Sequence, residues 1–246
     1  MSFLLPEPVK IICGMNSAII VAAGKGTRMG PDIDKLFIEV AGVPVVVHAW
    51  RAFERVQEIG HVVVVVRAGM EDSFRELASE WGMKKPFSLV AGGRERQDSV
   101  WNGCEALPPE TEIVAIQDGA RPCTSAAVIR ATLQAAREHG AAVAAQRMVD
   151  TVKESSDGAF IQKHLDRSKL FSVQTPQTFR VEVIREALAH TRRKGLLVTD
   201  DTAACEMIGH AVKLVLSSDP NPKVTTREDV PYVDFLLRNP LPRPAG

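Results

Sequence analysis

Short runs of β-branched and small apolar residues recur along this chain, and between them apolar positions return every three to four residues. The runs at 18–21, 61–66, 87–90, 113–117, 142–145 and 212–216 predict strands. Helical segments lie between them: Val46, Ala49, Phe53 and Val56 share one face, as do Ile129, Leu133 and Ala136. This alternation predicts an α/β fold with a mainly parallel sheet and helices on both faces. Ligands of such sheets sit at the carboxyl ends of the strands. The polar loops after Val21, Val90 and Gln117 are therefore expected to converge on one site.

The pattern breaks over 148–178, which is polar and turn-rich, with β-prone pieces around Thr151-Val152 and Phe171-Ser172-Val173. This segment reads as an excursion from the sheet in the form of a β-arm. An arm of that size buries little surface alone, so it is expected to pack on a second subunit. Residues 1–16 read as an N-terminal extension, 17–237 as one domain, and the proline-rich 238–246 as a linker or disordered tail.

Composition narrows the classes. A chain of 246 residues, 45% apolar, suits one large α/β domain with or without a small appendage. Its 30 basic and 30 acidic residues cancel, which argues against a general nucleic-acid binder. No apolar run reaches the ~18 residues of a membrane span, and residues 1–16 lack the long apolar core of a signal peptide. Cys13, Cys104, Cys123 and Cys205 form no C-x-x-C pair, which argues against zinc. Scattered cysteines without an export signal point to reduced thiols in the cytoplasm. Cys104 shares a helical face with Val100 and Leu107 and reads as core. Cys123 adjoins a polar motif, but burial is its plainer explanation. The six histidines show no metal-ligand spacing.

The first predicted strand leads directly into Ala22-Ala23-Gly24-Lys25-Gly26-Thr27-Arg28-Met29-Gly30, and Lys35 follows. Glycines let backbone N–H groups approach phosphate oxygens closely. Lys25, Arg28 and Lys35 can neutralise charge on a phosphoryl group. The dinucleotide fingerprint does not fit: Met29 stands where its third glycine belongs, and 44–48, about 20 residues on, hold no carboxylate. The P-loop fails as well, with Ile19 at its first glycine and Gly26 after the lysine. A glycine turn after a strand is often only a tight connection. Three cations within eleven residues favour phosphate chemistry on a nucleotide.

Other polar clusters each carry two readings. In Gly92-Gly93-Arg94-Glu95-Arg96-Gln97-Asp98-Ser99 the glycines could seat a flat ligand against backbone, or the run could be a tight turn with Asp98 or Ser99 as helix cap. In Asp118-Gly119-Ala120-Arg121, Asp118 could bind a metal or a ribose hydroxyl and Arg121 a phosphate, or the two could form an internal ion pair. Asp150-Thr151, Asp166-Arg167 and Thr175-Pro176-Gln177 suit an anionic, hydroxylated ligand, although a lone arginine such as Arg167 is usually a solvated charge. Thr199-Asp200-Asp201 reads most simply as a helix cap. Lys223 stands between proline-marked turns and is rigidly placed.

In order, these clusters resemble the 2-C-methyl-D-erythritol 4-phosphate cytidylyltransferase family. The resemblance runs from about Ser17 to Leu237 and rests on Ala-Ala-Gly-x-Gly-x-Arg-Met, Lys35, Gly-Gly-x-x-Arg-x-x-Ser-Val, Asp-x-Ala-Arg-Pro, Asp-Thr-Val-Lys, Asp-Arg, Thr-Pro-Gln-x-Phe, Thr-Asp-Asp and Lys-Val-Thr-Thr-x-Glu-Asp. It implies a Rossmann-like nucleotidyltransferase fold, a homodimer and magnesium dependence. It implies transfer of CMP from CTP to methylerythritol phosphate with release of diphosphate, in non-mevalonate isoprenoid synthesis. By position it gives Arg28 and Lys35 as transition-state stabilisers, and Arg167 and Lys223 as the pair that places the acceptor phosphate. Asp118, Arg121, Thr151, Thr175 and Thr199 fall on acceptor-site positions, and Ala22, Ala23, Gly24, Gly93 and Ser99 on CTP-site positions. Gly26, Thr27 and Gly92 complete the expected nucleotide-binding set.

The chain departs from the family's common pattern at Asp34-Lys35-Leu36, at Gln117 (often histidine), at Arg94 and at Pro222. No departure removes a charged group that the chemistry needs. Nucleophile and electrophile are both phosphates, so clustered cations and a metal are required and a strong base is not. The nearest alternative is a cytidylyltransferase for ribitol 5-phosphate or another polyol phosphate. A non-catalytic nucleotide-binding module is the more distant one.

Overall fold

The computed structural model describes residues 14–24, 26, 29 and 34–239. β1 (Met15–Ala22) runs up the middle of the molecule and is followed by a small hairpin, β2 (Glu39–Val40) and β3 (Val43–Pro44). Then come α1 (Val45–Glu54), β4 (Ile59–Val66), α2 (Glu71–Glu80), β5 (Phe87–Ala91), α3 (Arg96–Glu105), β6 (Thr111–Asp118), α4 (Ala126–His139) and β7 (Ala141–Arg147). A second hairpin, β8 (Lys153–Glu154) and β9 (Lys163–His164), precedes β10 (Phe171–Arg180). The chain closes with α5 (Val181–Lys194), α6 (Asp201–Met207), β11 (Lys213–Leu216) and α7 (Asp229–Arg238).

The seven-stranded sheet has the order β11-β7-β10-β6-β1-β4-β5. Every pair is parallel except the two made by β10, which runs antiparallel to both β6 and β7. Alternate residues divide the core between the two faces. Ala18, Ile20, Val62, Val64 and Ala115 point to one face, where Trp50 and Phe53 of α1, Phe74 of α2 and Ile129 of α4 cover them. Ile19, Val63, Val65, Val114 and Ile116 point to the other, under Val100 of α3, Leu188 of α5 and Ala204 of α6. Helices thus cover both faces, and the six sequence-predicted strands all lie in this sheet.

One strand departs from the sequence reading. The stretch 148–170 leaves the sheet, but residues 171–178, expected to belong to the same excursion, return as most of β10. Gln174 to Phe179 are buried, and Gln177↔Ile116 and Gln177↔Val143 register the strand between its neighbours. Pro176 and the surrounding Gln and Thr residues hid it. A proline is tolerated in a sheet at an irregularity, and the β10–β7 register shifts between Val173 and Gln177. The β8–β9 hairpin pairs Lys153 with His164 and carries no buried residue, while Val149, Phe160 and Ile161 nearby are exposed.

Candidate active site

The strand ends place the site. Beyond β1, Ala23 and Gly24 turn across the top of the sheet. The Gly119 N–H donates to the Val21 carbonyl at 2.9 Å, and the Gly92 N–H donates to the Val66 carbonyl at 2.7 Å. The loop after β6 is thereby tied to the end of β1, and the loop after β5 to the end of β4. A Cβ on Gly92 would lie 2.3 Å from the Ala23 Cβ, and one on Gly93 2.2 Å from the Asp98 Cβ. Both glycines are therefore required by packing. The Gly93 N–H donates to Ser99 Oγ at 3.1 Å, so Ser99 shapes the loop from inside. Gly24 differs: a Cβ there would meet nothing within 4 Å.

These loops bound a cleft of ≈ 630 Å³ open to solvent. Ala23 and Gly24 from the loop after β1, Gly93 and Ser99 from the loop and helix after β5, and Lys35, Asp118 and Lys223 line it. The convergence expected from the loops after Val21, Val90 and Gln117 is present. Ala22 is buried beneath it as part of the sheet core.

Asp118, the last residue of β6, organises the charge. Lys223 Nζ donates to its Oδ2 at 2.7 Å, Arg96 Nε reaches Oδ1 at 3.4 Å, and Arg121 Nε lies 3.8 Å from Oδ2. Its backbone N–H donates to Thr175 Oγ1 at 3.1 Å. Burial raises the Asp118 carboxyl, but Arg96, Lys223 and Arg121 outweigh burial and hold it down at about 2. It is therefore ionised at neutral pH and serves as counter-charge for a cation-lined wall. Arg121 also donates from Nη1 to the Asn221 carbonyl at 2.6 Å, and Asn221 Nδ2 donates to the Thr175 carbonyl at 2.8 Å. The internal Asp118–Arg121 pair considered from sequence exists, and it sits against the cleft. Lys35 is buried, and its Nζ donates to the Val224 carbonyl at 3.2 Å.

Two residues with no assigned role from sequence belong to this network. Arg96 Nη2 donates to Asp201 Oδ2 at 2.9 Å, and Asp201 is fully buried. Burial opposes the Arg96 charge, but Asp201 and Asp118 more than offset it and hold the guanidinium above its ordinary range. Arg96 lines the cleft as well. The signal was present in the sequence: an arginine follows the glycine pair by three positions, and paired aspartates open a later helix. Both positions read as helix starts. Asp200 does cap α6, accepting from the Ala203 N–H at 2.9 Å, whereas its neighbour anchors Arg96. At α3 the cap is formed by Asp98 Oδ2, which accepts from the Glu95 N–H at 3.2 Å.

Other expected positions lie elsewhere. Thr27 and Arg28 lie outside the described residues, and Gly26 adopts φ 63°, with Lys35 Cγ 3.0 Å from where its Cβ would stand. Thr175 is buried and acts through the Asp118 N–H. Thr199 is exposed on the loop before α6. Thr151 and Arg167 are exposed on the excursion, where Arg167 Nη1 donates to the Val149 carbonyl. The arm residues do not line the cleft of their own chain. Burial pushes the Cys123 thiol up to about 11, so it is protonated at neutral pH and no nucleophile. Among the described residues, no group of three or more His, Cys, Asp or Glu could hold a metal ion.

A glycine-lined cleft at the carboxyl ends of a mainly parallel sheet, with Lys35, Arg96 and Lys223 on its walls, suits phosphate chemistry on a nucleotide, the work of a nucleotidyltransferase. The family model of 2-C-methyl-D-erythritol 4-phosphate cytidylyltransferase (IspD) matches residues 16–239, and the chain belongs to that family. A relative of the same name from Pelotomaculum thermopropionicum is 42% identical over 90% of this chain and 94% of its own length. Among solved structures, 4-diphosphocytidyl-2C-methyl-D-erythritol synthase from Anaerococcus prevotii is similar with a TM-score of 0.82 and 31% identity, covering 92% of this chain and 96% of its own. The 2-C-methyl-D-erythritol 4-phosphate cytidylyltransferase of Thermus thermophilus has a TM-score of 0.75 at 30% identity, covering 91% of this chain and all, 100%, of its own.

Proposed function

We propose that this chain transfers CMP from CTP to 2-C-methyl-D-erythritol 4-phosphate, giving 4-diphosphocytidyl-2-C-methyl-D-erythritol and diphosphate. The observation that carries this is the cleft at the strand ends, lined by Lys35, Arg96 and Lys223, the last two held by Asp118, in a member of this family. A phosphate oxygen of the acceptor attacks the α-phosphorus of CTP, the bond to the β-phosphate oxygen breaks, and diphosphate leaves with its electron pair. The nucleophile is anionic already, so no base is needed. The chain's contribution is alignment and charge stabilisation.

In this reading Arg28 and Lys35 stabilise charge on the transferring phosphoryl group. Lys223, held by Asp118, and Arg167 place the acceptor phosphate. Arg121, Thr151, Thr175 and Thr199 belong to the acceptor side, and Ala22, Ala23, Gly24, Gly26, Thr27, Gly92, Gly93 and Ser99 to CTP. Mg²⁺ neutralises triphosphate charge when bound. The residues fit a metal that would arrive on phosphate oxygens and water, because Asp118 already faces three cations and the described residues form no carboxylate cage. Exposed Val149, Phe160 and Ile161 support an arm that packs on a second copy of the chain. We place the enzyme in the cytoplasm, in keeping with the unpaired thiols of Cys104, Cys123 and Cys205.

The test is a diphosphate-release assay with paired substrates. CTP with methylerythritol phosphate is expected to turn over, and CTP with ribitol 5-phosphate at a small fraction of that rate. UTP reverses a donor and an acceptor at the base edge, a mismatch of ~1–3 kcal/mol, so it should be poorly used. Preference for ribitol 5-phosphate, or equal use of UTP, would overturn this reading.

A further inference from the structure

The first turn of α3 grips a loop lying 99 to 105 residues further along the chain. Gln97 is buried, and its side-chain amide meets the backbone of the loop before α6 in both directions. Nε2 donates to the Leu196 carbonyl at 2.9 Å, and the Val198 N–H donates to Oε1 at 2.9 Å. One amide thus takes the place of a neighbouring strand. One residue earlier, Arg96 joins Asp118 to Asp201. The far side of the loop is tied to β10: the Asp201 N–H donates to Gln177 Oε1 at 2.9 Å, and Gln177 Nε2 donates to Asp200 Oδ2 at 3.0 Å. Thr199 lies between these anchors, exposed, with Val198 fixed on one side and Asp200-Asp201 on the other.

An exposed loop residue ordinarily samples many placements, and ordering it costs entropy at the moment a ligand binds. Here the buried side chains of Gln97 and Gln177 remove that cost in advance. We infer that Gln97, supported by Arg96, is a positioning residue that presets Thr199 for the acceptor substrate without touching the reacting atoms. The inference rests on the acceptor-side reading of Thr199 given above. It separates Gln97 from its neighbour Ser99, which shapes the nucleotide loop through Gly93. Two residues of one helical turn would then serve the two substrates separately.

Gln97→Met keeps the side chain's length and loses both hydrogen bonds. Its KM for methylerythritol phosphate should rise on the order of 10-fold, the scale of one or two lost hydrogen bonds. Its kcat and its KM for CTP should stay within about twofold. Amide hydrogen exchange should quicken at Val198 and stay slow in β1 and β6. Gln97→Glu keeps an acceptor for the Val198 N–H and should fall between wild type and Gln97→Met; it also carries the same comparison should Gln97→Met fail to fold. Equal rises in both KM values, or unchanged KM values with only a lowered Tm, would overturn the inference and leave Gln97 a structural staple. If wild type does not use methylerythritol phosphate, the proposed function falls by itself, and the exchange rate still decides the clamp: unaltered exchange at Val198 in Gln97→Met refutes it.

Discussion

At Asp118, burial and charge pull in opposite directions, and charge prevails. Its carboxyl is held at about 2 against an ordinary value of 3.8. A depressed carboxyl contributes stability that is fully present above the unfolded value and is lost as pH falls through the folded one. Here that window runs from 3.8 down to about 2, and the contribution is on the order of 2 kcal/mol. Asp118→Asn should therefore unfold at lower urea than wild type at pH 7. The gap should narrow as pH falls from 4 towards 2, because wild type loses what the variant never had. A gap that stays constant down to pH 2 would mean that the three cations do not act on this carboxyl. The same residue shows why sequence reading paired Asp118 only with Arg121. Arg121 is three positions away, whereas Arg96 and Lys223 are 22 and 105 away, and only the sheet brings them together.

At the level of elements, the two glycine loops make opposite demands. Gly92→Ala puts a Cβ 2.3 Å from the Ala23 Cβ, so the loop after β5 or the loop after β1 must shift. A loss of ~1–3 kcal/mol in thermal unfolding is expected, together with a fall in kcat/KM. Gly24→Ala meets no atom, so its Tm should stay near that of wild type while KM for CTP rises if backbone approach to phosphate is the loop's task. Equal Tm losses in the two variants would contradict this division. The elements also show what the sequence made legible. The strands of the sheet other than β10 announced themselves because buried parallel strands are continuous apolar runs such as Val62 to Val66. β10 did not, since Gln174, Thr175, Gln177 and Thr178 are polar and buried for reasons of hydrogen bonding. The site was legible as motifs, with positions such as Lys35 and Lys223 readable in the chain. The Arg96–Asp201 bridge was not, because a helix start and a long-range anchor look alike in one dimension.

For the whole molecule, the proposed dimer would make the arm decide where a complete site lies. Arg167 is absent from the cleft lining of its own chain and sits on a segment with exposed Val149, Phe160 and Ile161. Under the proposed dimer, Arg167→Ala should raise KM for the acceptor while CTP binding stays close to wild type. Mixing Arg167→Ala with Lys35→Ala chains should restore activity at one of the two sites in each mixed dimer. Mixed dimers that stay inactive, with both chains folded and paired, would place Arg167 within its own subunit's chemistry or outside it altogether.

The sheet order also dictates a timetable. β6, β1, β4 and β5 adjoin one another and are complete once residue 118 has been made. β7 has only β10 and β11 for neighbours, and both lie later in the chain. During synthesis, β7 therefore waits with two bare edges while residues 148–170 and the whole of β10 emerge. Its sequence is suited to waiting. Ala141, Ala142, Ala144 and Ala145 leave a strand of weak intrinsic pairing tendency, one that forms poor contacts with the wrong partner and gains its stability only when β10 slides into the gap beside β6.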